Sequence, residues 1–69
     1  MEWISVNDKL PEPETDVLGF RYDHVEVFTY RYDKVGSLEF MYMDDSGYWW
    51  KAFAPRVTHW MPLPEPPKN

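Results

Sequence analysis

The two histidines, His24 and His59, are the side chains of this sequence best suited to acid–base or metal chemistry. Neither has a second histidine at the spacing that a zinc site needs, and the chain has no cysteine to complete one. His59 alternates with Val57 and Met61, which predicts a half-buried strand histidine with a structural hydrogen bond. His24 follows Asp23 at a predicted turn, where a solvated side chain is expected. We therefore predict no metal site and no cofactor.

Carboxylates and hydroxyls give no stronger signal for catalysis. Glu26 and Glu39 fall on neighbouring predicted strands, but nothing in their surroundings indicates the burial that would raise the pKa of one of them. Residues 44–47 (DDSG) lack the further oxygen ligands of a calcium loop and instead indicate a hairpin turn. The sequence contains no nucleophile motif around its serines and no glycine-rich phosphate loop. These observations predict a protein that is not an enzyme and has no catalytic residues.

Aromatic residues are more numerous than the core of so small a domain requires: 13 of 69 residues are Phe, Tyr or Trp. If residues 48–50 (YWW) form a strand, Trp49 points away from Tyr48 and Trp50. Two interpretations remain open: both sides are covered within the chain by Trp3 and the proline-rich tail, or one side is a binding surface. The candidate interaction surface consists of Tyr30, Tyr32, Tyr42, Tyr48, Trp49 and Trp50.

The elements that must position these side chains are strands, because no stretch has a convincing helical period. Residues 25–32 (VEVFTYRY) alternate most clearly, with the valines on one side and Phe28 and Tyr30 on the other. Further strands are predicted at residues 17–22, 37–43, 48–53 and 56–61. Short strands joined by local turns predict an all-β fold: a small antiparallel meander of four to five strands, forming a curled sheet or an SH3-like barrel.

A single domain is predicted over residues 1–69, with proline-rich extended termini. Residues 1–14 form an extended arm and loop, residues 15–61 form the antiparallel strands, and residues 62–69 form the tail. Both faces of the predicted sheet carry large apolar groups. Closure of the sheet or pairing with a second copy would cover them, so a homodimer is one expectation.

The charge of the chain restricts its partners. Twelve acidic residues against seven basic ones give a net charge of −5, and the basic residues are scattered along the sequence. Direct nucleic-acid binding is therefore not expected. No apolar run approaches the ~20 residues that a membrane span needs, so no membrane association is expected either. An acidic protein is drawn to basic surfaces, which makes a protein with a basic surface the expected partner.

The two ends of the chain carry distinctive motifs, WISVNDKLPE at residues 3–12 and VTHWMPLPEPP at residues 57–67. They resemble a small phage and prophage protein family, domain of unknown function 551. The middle of the chain (residues 19–55) shares only the general residue pattern of that family. The resemblance implies a phage or prophage origin, the cytoplasm of the bacterial host, and no assigned activity. Trp3 and Trp60 are expected to pack together and close the fold. The structural motif residues are Trp3, Leu10, Pro11, His59, Trp60 and Pro62.

Taken together, these features predict a non-enzymatic phage accessory protein that binds a host or phage protein, as an inhibitor of a host defence or nucleic-acid-processing system. Two alternatives remain open at this stage. One is a small-ligand protein that holds a nucleotide-like molecule in an aromatic pocket. The other is a structural subunit of a phage assembly.

Overall fold

Six strands form one antiparallel sheet in the computed structural model, which describes residues 2–53 and 55–64. The predicted all-β class is confirmed. The sheet has six strands rather than four or five, because the N-terminal arm contributes a two-residue strand that pairs with the last strand. The strands are β1 (Ile4–Ser5), β2 (Thr15–Arg21), β3 (His24–Tyr32), β4 (Leu38–Met43), β5 (Trp49–Lys51) and β6 (His59–Pro62).

The sheet is open. Its strand order is β1-β6-β2-β3-β4-β5, and across the described residues the edge strands β1 and β5 do not pair with each other. Of the two predicted forms, a curled sheet or an SH3-like barrel, the described residues therefore do not form the closed barrel. Residues 65–69 of the predicted tail lie outside the described residues.

Three hairpins connect β2 to β5, and two of them use the same turn. Asp33 to Gly36 and Asp44 to Gly47 both have the pattern Asp-x-x-Gly, with φ angles of 87° and 88° at the glycines. Only glycine adopts this left-handed conformation without a steric cost, which explains the two glycines. The β2–β3 turn is formed by Tyr22 and Asp23, one residue earlier than the sequence predicts, and Tyr22 takes a positive φ of 54°.

The connection from β5 to β6 determines which face of the sheet is covered. β5 lies at one edge, whereas β6 pairs with β2, so the connecting segment has to pass β4, β3 and β2. It carries Val57 into the core and donates a hydrogen bond from Thr58 N to Phe20 O (2.9 Å). Arg21 Nη1 donates to Pro55 O (3.3 Å) and holds the segment at its midpoint. We call this side of the sheet the covered face and the opposite side the open face.

The hydrophobic core lies between the covered face and the segments that cross it. Phe28 is fully buried, and Val17, Val57 and Trp60 surround it. Gly19, opposite Trp60 in the sheet, leaves room for the Phe28 ring. The sequence places a glycine here in a strand that otherwise favours branched residues, and the packed ring is the reason. Partly buried residues complete the core: Ile4, Val6, Phe40, Tyr42 and Ala52.

Candidate interaction surface

The β4–β5 hairpin exposes two aromatic side chains, Tyr48 and Trp50. They are 65% and 52% exposed, and their ring centroids are 6.4 Å apart. Trp50 Nε1 donates a hydrogen bond to Asp44 Oδ2 (2.8 Å), which fixes the indole against the turn. We call these two residues the hairpin pair. They form a small, oriented aromatic surface at the β4–β5 turn.

Asp44 organises the turn beneath the hairpin pair. Its Oδ1 accepts hydrogen bonds from Ser46 N (2.9 Å), Ser46 Oγ (2.7 Å) and Tyr48 N (3.0 Å). These donors, and above all the Trp50 indole, favour the ionised carboxylate and lower the pKa of Asp44 far below its ordinary value. The turn is therefore stabilised by a carboxylate that stays charged under physiological conditions.

Trp49 points to the open face, opposite to the hairpin pair, as strand alternation requires. The guanidinium carbon of Arg31 lies 4.4 Å from the centroid of the Trp49 ring, a cation–π contact. Lys51, on the same face, forms an ion pair with Asp33 Oδ2 at 2.8 Å. Trp49 therefore belongs to a surface separate from that of Tyr48 and Trp50.

The three remaining tyrosines of the candidate surface have different environments. Tyr30 is only 4% exposed and packs on Phe40 with ring centroids 4.9 Å apart, so it belongs to the core and its assignment to a surface is wrong. Burial, with a further contribution from the charge of Glu39, raises the pKa of the Tyr30 hydroxyl. Tyr42 is half-buried against Phe28. Tyr32 is exposed at the end of β3.

A larger apolar surface, which the sequence analysis did not single out, lies on the open face. Val25 and Val27 are 54% and 56% exposed in the first half of the nine-residue strand β3. Their partners on β2 and β6 continue the surface across three strands, since residues opposite each other in a sheet share a face. We call this surface the apolar patch. It consists of Trp3, Leu18, Phe20, Val25 and Val27, and the buried Met61 lies beneath it, opposite Leu18.

The alternation in β3 contains the signal for this surface. It separates the two valines from Phe28 and Tyr30 and makes both sides of the strand apolar. What the alternation cannot indicate is which side another segment covers. Because that depends on the β5–β6 connection, the patch is visible only in the folded chain.

The motif residues divide between the two faces. Trp60 is buried in the core, and its Nε1 donates to Lys9 O (2.8 Å), which ties the N-terminal arm to β6. Trp3 lies on the open face and packs on Phe20 with centroids 5.9 Å apart. The expected contact between Trp3 and Trp60 is therefore wrong. The reason is register: Ile4 pairs with Trp60, so its neighbour Trp3 points to the other face.

The other motif residues have structural positions. Pro11 is buried and Leu10 is about half exposed in the N-terminal loop. Pro62 ends β6 opposite Val17. His59 is half-buried on the open face, with Nδ1 2.9 Å from Thr58 Oγ1 and its ring against Phe20. This agrees with the structural hydrogen bond that the sequence predicts for it.

Residues 2–53 and 55–64 contain no cluster of three or more His, Asp or Glu side chains that could hold a metal ion. His24 is largely exposed, and its nearest acidic partner is Asp23, 3.6 Å away. Within the same two ranges, no helix is long and apolar enough to cross a membrane.

Comparison with known proteins identifies relatives of the chain. Residues 2–68 match the family described as "Protein of unknown function (DUF551)". A protein of Salmonella phage P22, described as an uncharacterized 7.8 kDa protein in the ral-gp17 intergenic region, is 36% identical over 72 aligned positions that span both chains completely. No solved structure matches the chain. The chain is therefore a small phage-associated protein and a member of the DUF551 family.

Proposed function

We propose that this protein is a non-enzymatic phage accessory protein that acts by binding another protein through its open face. The observation that carries the proposal is the apolar patch. Val25 and Val27 lie on an interior strand of the sheet yet are more than half exposed, and Trp3 and Phe20 extend the apolar area beside them. A contiguous apolar area on a soluble domain commonly marks an interaction site.

The patch has the composition of an interface centre. Trp3 supplies a large rigid ring, while Val27 and Leu18 supply branched aliphatic surface on neighbouring strands. Aromatic and aliphatic groups at the centre of an interface provide most of the binding free energy, and polar groups at the rim provide specificity. Asp16 and Thr29, hydrogen-bonded to each other on the same face (2.6 Å), border the patch on one side.

The partner in this proposal is a protein of the host or of the phage, met inside the infected cell. The narrower form of the proposal is inhibition of a host defence or nucleic-acid-processing system. Membership of a family with a phage relative supports it, as does the net charge of −5, which favours the basic surfaces that nucleic-acid-processing proteins present.

Affinity capture of binding proteins from host-cell lysate, with matched variants of the chain, tests the proposal. The tagged natural chain, Val27→Lys and Val35→Lys are compared; Val35 is exposed on the β3–β4 turn, away from the patch. We expect a protein that is retained by the natural chain and by Val35→Lys and lost with Val27→Lys. Its binding is then measured with purified components, and a reduction of at least about tenfold in affinity for Val27→Lys is expected.

The hairpin pair is tested in the same experiment through Trp50→Ser. If this variant loses the partner while Val27→Lys keeps it, the binding surface is the hairpin pair and not the open face. If all variants retain the same proteins equally, protein binding through either surface is refuted. Recovery of the chain with phage particles would instead support a structural subunit of a phage assembly.

A further inference from the structure

A shallow depression of about 440 Å³ lies on the open face beside the β3–β4 turn and β5, at the opposite end from the apolar patch. Its size is within the range of small-molecule sites in proteins. We call it the cationic pocket. The residues that give it its chemistry are Arg31, Asp33, Lys34, Met41, Trp49 and Lys51.

Positive charge is concentrated in this pocket. Three of the seven basic residues of an acidic chain line it, together with a single carboxylate, that of Asp33. Over residues 2–53 and 55–64, no carboxylate lies within 4.0 Å of the charged groups of Arg31 or Lys34. Their charges are therefore available to an anion from outside the chain.

The carboxylate of Asp33 is already used within the protein. Its Oδ1 accepts hydrogen bonds from Val35 N (3.0 Å) and Ser37 N (2.9 Å), and its Oδ2 pairs with Lys51 Nζ (2.8 Å). The carboxylate thus places the Lys51 ammonium at the wall of the pocket. An anionic ligand would meet Arg31 and Lys34 without displacing this ion pair.

Trp49 gives the pocket a flat wall. Arg31 stacks on its ring at 4.4 Å, and the buried Met41 lies in the floor of the same pocket. Trp49 and Lys34 also line a second hollow toward the β4–β5 turn. The indole therefore stands between two hollows and keeps ring surface accessible for stacking, with a lysine beside it.

From this arrangement we infer that the cationic pocket binds a small planar anion of the nucleoside monophosphate class. The indole and guanidinium planes stack on a heterocyclic ring, and the Lys34 ammonium and Arg31 guanidinium receive the phosphate. A polynucleotide does not fit, because three cations on a chain with twelve acidic residues cannot follow a phosphate backbone. The inference goes beyond protein binding, since the pocket and the apolar patch consist of different side chains.

Titration of the ¹⁵N-labelled chain with AMP tests this inference. Binding is followed by NMR through the indole N–H signal of Trp49. We expect a saturable shift of that signal. Adenosine and inorganic phosphate should each bind at least about tenfold more weakly than AMP, because each offers only half of the recognised chemistry. Lys34→Glu, a substitution at an exposed turn residue, should weaken AMP binding by at least about tenfold with the spectrum otherwise unchanged.

A matched control separates the pocket from general charge effects. Lys9→Glu changes the net charge equally, and Lys9 does not line the pocket, so this variant should bind AMP as the natural chain does. The inference is refuted if Trp49 does not shift with AMP, or if Lys9→Glu weakens AMP as much as Lys34→Glu. Equally tight binding of a hexaglutamate peptide would also overturn it and would assign the pocket to an acidic protein segment.

Discussion

At the scale of single residues, the packing of Phe28 depends on the missing side chain of Gly19. A Cβ at Gly19 would overlap the Phe28 ring, with Cε2 only 2.7 Å away, and Val57 closes the site from above at 3.4 Å. Phe28 is also the most deeply buried side chain among the described residues. It has little freedom to move aside, so the size of residue 19 directly affects the core.

Gly19→Ala is therefore expected to destabilise the domain by about 1–3 kcal/mol, the usual effect of overpacking a core. Urea unfolding followed by tryptophan fluorescence measures the loss. Phe28→Leu reduces the ring that causes the overlap, so the double variant should lose less than the sum of the two single variants. An unchanged urea midpoint for Gly19→Ala would show that the ring is not confined.

Asp44 also acts at the residue scale, through pH. Hydrogen bonds from the Trp50 indole and from Ser46 lower its pKa in the folded chain below the ordinary value of 3.8. Because the folded-state pKa is the lower one, the carboxylate stabilises the fold above about pH 4, and this contribution is lost as the pH falls toward the folded-state value. Stability should therefore decrease on acidification across this range.

The Asp44→Asn variant is expected to show a smaller decrease in its urea midpoint than the natural chain between about pH 5 and about pH 2. Asp45→Asn is the control, since in the described part of the chain the Asp45 carboxylate accepts none of the hydrogen bonds that surround Asp44. Identical pH profiles for Asp44→Asn and Asp45→Asn would contradict the assignment.

At the scale of the elements, β6 joins the two ends of the chain. It pairs with β1 on one side and β2 on the other, and the buried Trp60 on β6 donates its indole N–H to Lys9 O. This hydrogen bond links residues 51 positions apart. A short edge strand such as β1 has little stability of its own, so its position depends on these contacts.

Trp60→Phe should retain most of the buried ring but leave the Lys9 carbonyl without its hydrogen-bond donor. We expect the free energy of unfolding to decrease by about 1–3 kcal/mol. Hydrogen exchange of the amides in β1 should increase more than that of the amides in β3. The matched variant Trp50→Phe removes an indole hydrogen bond at an exposed site and should cost less. Equal losses for the two variants would indicate that the bond to Lys9 has no special role.

At the scale of the whole molecule, the sheet has one face packed in the core and an opposite face that is largely uncovered, with only Met41 and Met61 buried on it among the described residues. Val17 and Val27 illustrate the difference, because they are the same residue type on adjacent strands and are 2% and 56% exposed. Open antiparallel sheets commonly have a polar outer face. Here the outer face carries the apolar patch at one end and the cationic pocket at the other.

This difference predicts opposite outcomes for the same substitution. Val27→Lys should change the free energy of unfolding by no more than about 0.5 kcal/mol, as is usual for an exposed position. Val17→Lys should cost more than about 4 kcal/mol, because it places an unpaired charge in the core. Thermal and urea unfolding measure both values. Similar losses for the two variants would mean that the open face is covered in solution, as in a homodimer, which sedimentation would then detect.

Local sequence patterns are sufficient to predict the strands and turns of this protein. A period of two along residues 25–32 and 37–43 is sufficient for strands, and Asp-x-x-Gly is sufficient for the turns at Asp33 and Asp44, because these depend on neighbours along the chain. The terminal motifs were likewise sufficient for the family. Trp49 could be separated from Tyr48 and Trp50 by alternation alone.

Which aromatic and aliphatic groups are exposed depends instead on contacts between segments that are distant along the chain. The β5–β6 connection returns across a single face of the sheet and places β6 beside β2. For this reason Tyr30 is in the core and Trp3 faces away from Trp60. The side chains of Val25 and Val27, on the opposite face, remain uncovered. The convergence of Arg31, Lys34 and Lys51 around Trp49 has the same origin, since it joins β3, the β3–β4 turn and β5 on the face that the connection leaves open. Alternation defines two faces, but long-range pairing selects the one that is buried.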